Sequence, residues 1–72
     1  MELEKRVLLL ALYKHPDLSK QELLTMLANA KLFTLKEGKK LVKELRAQEY
    51  LTSSLTPKGI ALAKSIEEEF RL

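Results

Sequence analysis

The chain has no cysteine, no tryptophan, one histidine, two glycines and two prolines among its 72 residues. Without cysteine it forms no disulfide, offers no thiolate nucleophile and binds no zinc through sulfur. A single histidine excludes motifs that use two histidines as metal ligands, and it makes a histidine-based catalytic triad hard to build. We therefore predict a protein that is not an enzyme and that uses no metal or cofactor.

Long apolar runs are also missing. The longest one, residues 7–13, is far shorter than the roughly 20 residues of a membrane span. Glu2 and Glu4 precede it, at the place where a secretory signal would carry positive charge. A chain of 72 residues has the size of one small domain. We expect a soluble, cytoplasmic protein without a membrane partner, formed by a single domain over residues 1–72.

The positive charge is concentrated in one segment of the chain. Thirteen lysines and arginines against ten aspartates and glutamates give a net charge of +3. Residues 31–49 contain six of these cations and three of the acids, so this segment alone has a net charge of +3. A localised basic segment is typical of proteins that bind a polyanion such as nucleic acid.

Four helices are predicted from the spacing of apolar residues and from helix-start signals. The first covers residues 2–14 and ends there because Pro16 disfavours helix at the residue before it. It is apolar on nearly all sides, which in so small a domain indicates that a partner subunit covers one of them. The last helix begins with Thr56 as N-cap and Pro57 at its first position.

Two capping boxes mark the helices in between. Ser19 with Glu22 starts the second helix, and Thr34 with Glu37 starts the third at the residue that follows Thr34. We expect the second helix to end at Asn29, because asparagine tolerates the left-handed conformation that often follows a helix.

Two further features belong to the third helix and to the segment after it. Gly38 lies inside the third helix, where it allows close packing against another helix or close approach of a ligand, and we favour packing. Residues 50–52 and 53–55 are predicted to form a short hairpin, since Tyr50 and Thr52 suit a pleated strand.

The segment around this hairpin resembles a known family. Glu49-Tyr50-Leu51-Thr52 followed by Leu55-Thr56-Pro57-Lys58-Gly59 is similar to the wing and last helix of winged helix-turn-helix regulators. Regulators of the MarR and PadR types often have a similar Leu-Thr-x-x-Gly after the wing. The resemblance covers about residues 3–70. It implies a mainly α fold, a winged helix with a three-helix helix-turn-helix core, a short rudimentary β-hairpin wing and a C-terminal helix.

The resemblance also implies that the third helix, about residues 35–48, is the recognition helix of a small DNA-binding transcriptional regulator. Four lysines of this helix fall within roughly a 100° stripe, opposite its apolar face, and phosphates favour such a stripe. Thr34, Lys36 and Lys40 are the best candidates for contacts with base edges. The partner would be double-stranded DNA, with no small-molecule substrate evident. The candidate DNA-binding residues are Ser19, Lys20, Gln21, Lys31, Thr34, Lys36, Lys39, Lys40, Lys43, Arg46 and Lys58.

A homodimer is expected, because the first and last helices have more apolar surface than so small a core can cover. The candidate interface residues are Leu9, Leu12, Tyr13, Leu62, Ile66 and Phe70. An alternative function is a winged-helix module that binds another protein without contacting DNA. The modest net charge and the very short wing favour this alternative, whereas the lysine stripe favours DNA binding.

Overall fold

The computed structural model describes residues 2–71 as four α-helices. The helices are α1 (Leu3–Lys14), α2 (Lys20–Asn29), α3 (Leu35–Ala47) and α4 (Pro57–Phe70). Helix α1 packs against both α2 and α4, and α2 also packs against α3. The prediction of a mainly α chain is confirmed. No helix within residues 2–71 has the length and apolar character needed to cross a membrane.

The helix starts follow from the side chains that precede them. The Ser19 hydroxyl accepts a hydrogen bond from the Glu22 N–H at 3.1 Å, and the Thr34 hydroxyl accepts one from the Glu37 N–H at 3.2 Å. In each box the glutamate carboxylate accepts in return from the N-cap N–H. The Thr56 hydroxyl caps α4 by accepting from the N–H of Gly59. All three predicted helix starts are therefore confirmed.

Two helices end with a non-glycine residue in the left-handed conformation. Lys31 has φ 64° after α2, and Glu49 has φ 65° after α3. In both turns the next residue donates back into the helix, Leu32 N–H to Leu27 and Tyr50 N–H to Leu45, as in a Schellman motif. Helix α2 does end at Asn29, but Lys31 rather than that asparagine adopts the left-handed conformation.

The core is made of leucine side chains from α1, α2 and α3, one residue from each of the links before α3 and before α4, and two residues of α4. Each helix contributes apolar positions at steps of three or four residues. The buried cluster comprises Leu8, Leu9, Leu24, Phe33, Leu41, Leu45, Leu51, Ala63 and Ile66.

The predicted winged-helix fold is wrong in its β-hairpin wing, which is absent from residues 2–71, whereas its mainly α character is confirmed. Residues 50–56 contain no strand, and only one isolated bridge joins Leu51 to Leu55. Both ends of the segment are already used by the helices. The bridge consists of two hydrogen bonds, from the Thr56 N–H to the Tyr50 carbonyl and from the Thr52 N–H to the Ser54 carbonyl. The next bond of a ladder would join the Tyr50 N–H to the Thr56 carbonyl, but the Tyr50 N–H donates to Leu45 at the end of α3 and the Thr56 carbonyl accepts from Ile60 in α4.

Gly59 fixes the approach of this turn to α4. A Cβ at position 59 would collide with the backbone carbonyl oxygen of Tyr50. Gly38 is buried in a comparable way, since a Cβ there would lie 2.8 Å from side-chain atoms of Leu24 and Phe33. The expectation of close packing at Gly38 is therefore confirmed, with the two neighbours coming from α2 and from the link before α3.

Candidate nucleic-acid interface

A groove of about 600 Å³ lies between α2 and α3. Its apolar lining is Leu24 from α2 and Val42 from α3, and its polar lining is mostly cationic. We call this site the basic groove, and the residues that line it are Lys20, Gln21, Leu24, Lys39, Lys40, Val42, Lys43 and Arg46. Six of these eight positions were predicted as DNA-binding residues, and the structure brings those six together.

The spacing of apolar residues explains why the cations of α3 point to solvent. Gly38, Leu41 and Leu45 are buried at steps of three and four residues, so they form one face of the helix. The remaining positions turn outward, and the exposed cations among them are Lys36, Lys39, Lys40, Lys43 and Arg46. The same periodicity that builds the core therefore separates the positive charge from it.

The two acids of α3 are each engaged in a structural contact. Glu37 accepts the Thr34 N–H at 2.9 Å within the capping box, and this backbone hydrogen bond lowers the pKa of the Glu37 carboxyl. Glu44 accepts from the ammonium of Lys5 at 2.7 Å, a hydrogen bond that lowers the pKa of the Glu44 carboxyl. Neither glutamate lines the basic groove.

No cation of α3 forms an ion pair with an acid within residues 2–71, although the nearby charge of Lys40 contributes to the lowered pKa of Glu37 and of Glu44. The ion pairs there join Lys5 to Glu44, Arg6 to Glu69 and Lys14 to Glu67, so every cation involved belongs to α1. The positive charge of α3 is thus left available for a ligand. Lys5 is 8% exposed, and its role was missed because the sequence offers no sign that it reaches Glu44.

Lys20 lines the basic groove but is already bound within the chain. Its ammonium donates to the carbonyls of Thr52 and Ser53, both at 3.0 Å. Burial, followed by the nearby charge of Arg46, lowers the pKa of Lys20. The residue therefore ties the start of α2 to the turn before α4, in addition to facing the groove.

The other predicted DNA-binding residues lie outside the groove. Ser19 and Thr34 are exposed N-caps, and Lys36 is exposed in the first turn of α3. Lys31 is exposed in the turn between α2 and α3. Lys58 donates to the Gln48 carbonyl at 3.0 Å and lies 4.8 Å from the centre of the Tyr50 ring, so it packs on the end of α3.

The predicted dimer residues divide into three groups by their burial. Leu9 and Ile66 are 0% and 2% exposed and belong to the core of the single chain. Leu12, Tyr13 and Leu62 are half-buried against that core. Phe70 is 44% exposed, with the guanidinium of Arg6 5.4 Å from the centre of its ring. An interface on this side would therefore depend on Phe70 and on the exposed edges of the half-buried residues.

Leu24 and Val42 are the groove residues that sequence reasoning missed. Both are apolar residues on amphipathic helices, and their places on the helical faces predict burial without indicating a cavity between α2 and α3. Comparison with protein-family models, curated proteins and solved structures finds no match to this chain.

Proposed function

We propose that this protein binds double-stranded DNA through the basic groove and the outer face of α3, and that it acts as a small transcriptional regulator. The observation that carries this proposal is the row of exposed cations on α3, none of which forms an ion pair with an acid within residues 2–71. Each lysine or arginine that meets a phosphate releases condensed counterions, which favours binding.

The dimensions of α3 suit the major groove of B-DNA. That groove is roughly 12 Å wide and admits one α-helix. Phosphate contact is the stronger part of the proposal, since lysine acts as a point charge rather than as a bidentate reader of base edges. Thr34, Lys36 and Lys40, in the first half of the helix, remain the candidates for contacts with bases. The proposal needs only α2 and α3 and does not depend on a wing.

A dimer would strengthen such binding, and the exposed apolar residues at the ends of α1 and α4 favour one. Leu3 is 57% exposed and lies one helical turn before Arg6, which contacts the exposed Phe70. A two-fold dimer through this surface would present two copies of α3 to DNA. Sedimentation equilibrium should show a concentration-dependent dimer that Phe70→Glu dissociates. A parental protein that stays monomeric at tens of micromolar would contradict the dimer.

The test of DNA binding is a fluorescence-anisotropy titration of a duplex at several salt concentrations. Four to six phosphate contacts would give a log–log salt slope of about −4 to −5. Replacing Lys39, Lys43 and Arg46 together by alanine should make this slope about 3 less steep and weaken binding by at least about a hundredfold at low salt.

A control with the same loss of charge distinguishes the groove from net charge alone. Replacing Lys14, Lys64 and Arg71 by alanine also removes three cations, all of them outside the basic groove. This variant should keep most of the parental salt slope. Equal losses in the two folded triple variants would show that binding follows net charge, and the assignment of α3 as the recognition helix would then be wrong.

A protein-binding role is the second candidate function, and the exposed apolar pair Leu3 and Phe70 favours it. Such a role predicts that the parental protein fails to bind duplex DNA even at low salt. It also predicts that Phe70→Glu abolishes complex formation with a protein partner while leaving unfolding unchanged.

A further inference from the structure

A second cavity, of about 540 Å³, lies where the end of α1, the link to α2, residues 51–55 and the start of α4 meet. Its apolar lining is mainly aliphatic. We call it the aliphatic cleft, and the side chains that form its apolar part are Leu12, Tyr13, Pro16, Leu18, Leu51, Leu55 and Ile60. Clefts of roughly 300–1,000 Å³ with a mostly apolar lining and a few polar groups are the usual form of small-molecule sites.

One charged side chain lines this cleft together with the apolar residues. Lys20 lies among its lining residues, and its ammonium donates to the carbonyls of Thr52 and Ser53 beside it. An ammonium has three N–H donors, and these two bonds are the ones it makes within residues 2–71. No acid within those residues pairs with Lys20. Lys20 thus brings a positive charge and one further N–H donor to the edge of the cleft, whose other polar lining residues are His15, Ser19, Ser53 and Ser54.

The electrostatic surroundings of Lys20 also favour an anionic ligand. Burial and the neighbouring charge of Arg46 lower the pKa of Lys20, because both disfavour its charged form. A carboxylate beside the ammonium would oppose both effects. A charge-assisted hydrogen bond in such a partly buried place is stronger than one between neutral groups.

The apolar lining indicates the shape of the rest of the ligand. Five of the seven apolar side chains are leucine or isoleucine, one is proline, and Tyr13 is the one aromatic residue among them. This surface lacks the paired aromatic faces on which a planar ring stacks. A flexible alkyl chain, in contrast, gains from burial among aliphatic side chains in proportion to its length.

We propose that the aliphatic cleft binds a medium-chain alkyl carboxylate, with its chain among the leucines and Ile60 and its carboxylate at the ammonium of Lys20. The proposal does not depend on DNA binding. It also changes the expectation drawn from the sequence, in which no small-molecule ligand was evident, because the cleft is formed by segments far apart in the chain.

The test compares three probes whose alkyl chains have equal carbon number and whose head groups differ: octanoate, octanol and octylammonium. Amide shifts in a ¹H–¹⁵N correlation spectrum, recorded with the full chain, report both affinity and location. Octanoate should perturb amides of residues 12–20 and 51–60 and should bind about tenfold more tightly than octanol, as expected for one charge-assisted hydrogen bond. Octylammonium should bind no better than octanol. Equal affinities for the three probes, or perturbations elsewhere, would overturn the proposal.

Two variants and one control test separately the charge of Lys20 and the space inside the cleft. Lys20→Met should bring the affinity for octanoate down to that for octanol, whereas Lys64→Met, at an exposed lysine of α4, should leave the roughly tenfold preference intact. Ile60→Trp should fill the cleft and abolish the binding of octanoate and of octanol. The protein should stay folded, since Ile60 lies outside the core cluster. Undiminished octanoate binding by folded Ile60→Trp would refute the site even if Lys20→Met failed to fold.

Discussion

Helices α1 and α3 both carry several cations, and the two helices use them differently. Lys5, Arg6 and Lys14 of α1 each pair with a glutamate of α3 or α4. The cations of α3 face solvent without such a partner in the part of the chain that the structure describes. Lysine and arginine thus hold α1 against its neighbouring helices, whereas in α3 the same residue types remain available for a ligand. What separates the two cases is the presence of an acid on the neighbouring helix.

The sharpest way to break this comparison is to reverse one charge in each helix. Lys43→Glu, in the basic groove, should weaken duplex binding about tenfold or more and make the salt slope about 1 less steep, because a phosphate contact is lost. Lys14→Glu should instead lower the melting temperature, since it places an acid beside Glu67, and should leave the salt slope unchanged. Anisotropy and thermal unfolding measure both effects. If the salt slope changed equally in the two variants, the cations of α1 and α3 would not differ in their role in DNA binding.

The next largest effect concerns the contact that holds α1 against α3. Lys5→Ala should lower the free energy of unfolding by about 1 kcal/mol, because the buried aliphatic stem of Lys5 loses its packing and Glu44 loses its partner. Lys64→Ala, at an exposed position of α4 outside the ion pairs, serves as the matched control and should change stability little. Urea unfolding measures both. A Lys5→Ala midpoint equal to that of the control would show that the pair contributes nothing.

The same contact predicts a pH dependence. Glu37 and Glu44 both have a pKa below the ordinary 4.5, Glu37 because of Thr34 and Glu44 because of Lys5. Their contribution to stability is therefore complete above pH 4.5 and is lost as the pH falls through the lowered values. Lys5→Ala should raise the pKa of Glu44 and leave that of Glu37 unchanged, as a carboxylate NMR titration would show. A Glu44 titration unmoved by the substitution would contradict the ion pair.

Local chemistry accounts for the parts of this molecule that the sequence predicts well. The capping boxes at Ser19 and Thr34 and the Thr56-Pro57 start depend on residues within one helical turn, so they can be identified before any fold is known. The outward direction of the α3 cations follows from the period of the apolar residues. Both predictions concern contacts within one segment.

Contacts between segments decided what could not be predicted. The predicted hairpin does not form because the Tyr50 N–H completes the end of α3 and the Thr56 carbonyl accepts from Ile60 in α4, a competition that strand propensity ignores. The bond from Lys20 to the turn at Thr52, and the cleft beside it, join residues that are distant in the sequence. Such partners are fixed only when the helices pack.

The smallest predicted effect on stability concerns the turns that follow α2 and α3. Lys31 and Glu49 both adopt a left-handed conformation that costs a side-chain-bearing residue energy and costs glycine little. Lys31→Gly and Glu49→Gly should therefore each raise the free energy of unfolding by about 0.5–1 kcal/mol. Asn29→Gly, at the end of α2, should instead lower it by a few tenths of a kcal/mol, because glycine weakens a right-handed helix slightly more than asparagine does.

The two glycine substitutions should nevertheless differ in DNA binding. Lys31→Gly removes a cation from the turn between α2 and α3, so it should make the salt slope less steep by up to about 1. Glu49→Gly removes an acid and should leave the slope as it is. Chemical denaturation of the same three variants reports the effect of the left-handed backbone conformation on stability, and anisotropy reports the effect of the removed charge on DNA binding. If Glu49→Gly destabilised the protein as Asn29→Gly does, the left-handed turn after α3 would be wrong, and the competition that excludes the hairpin would lose its basis.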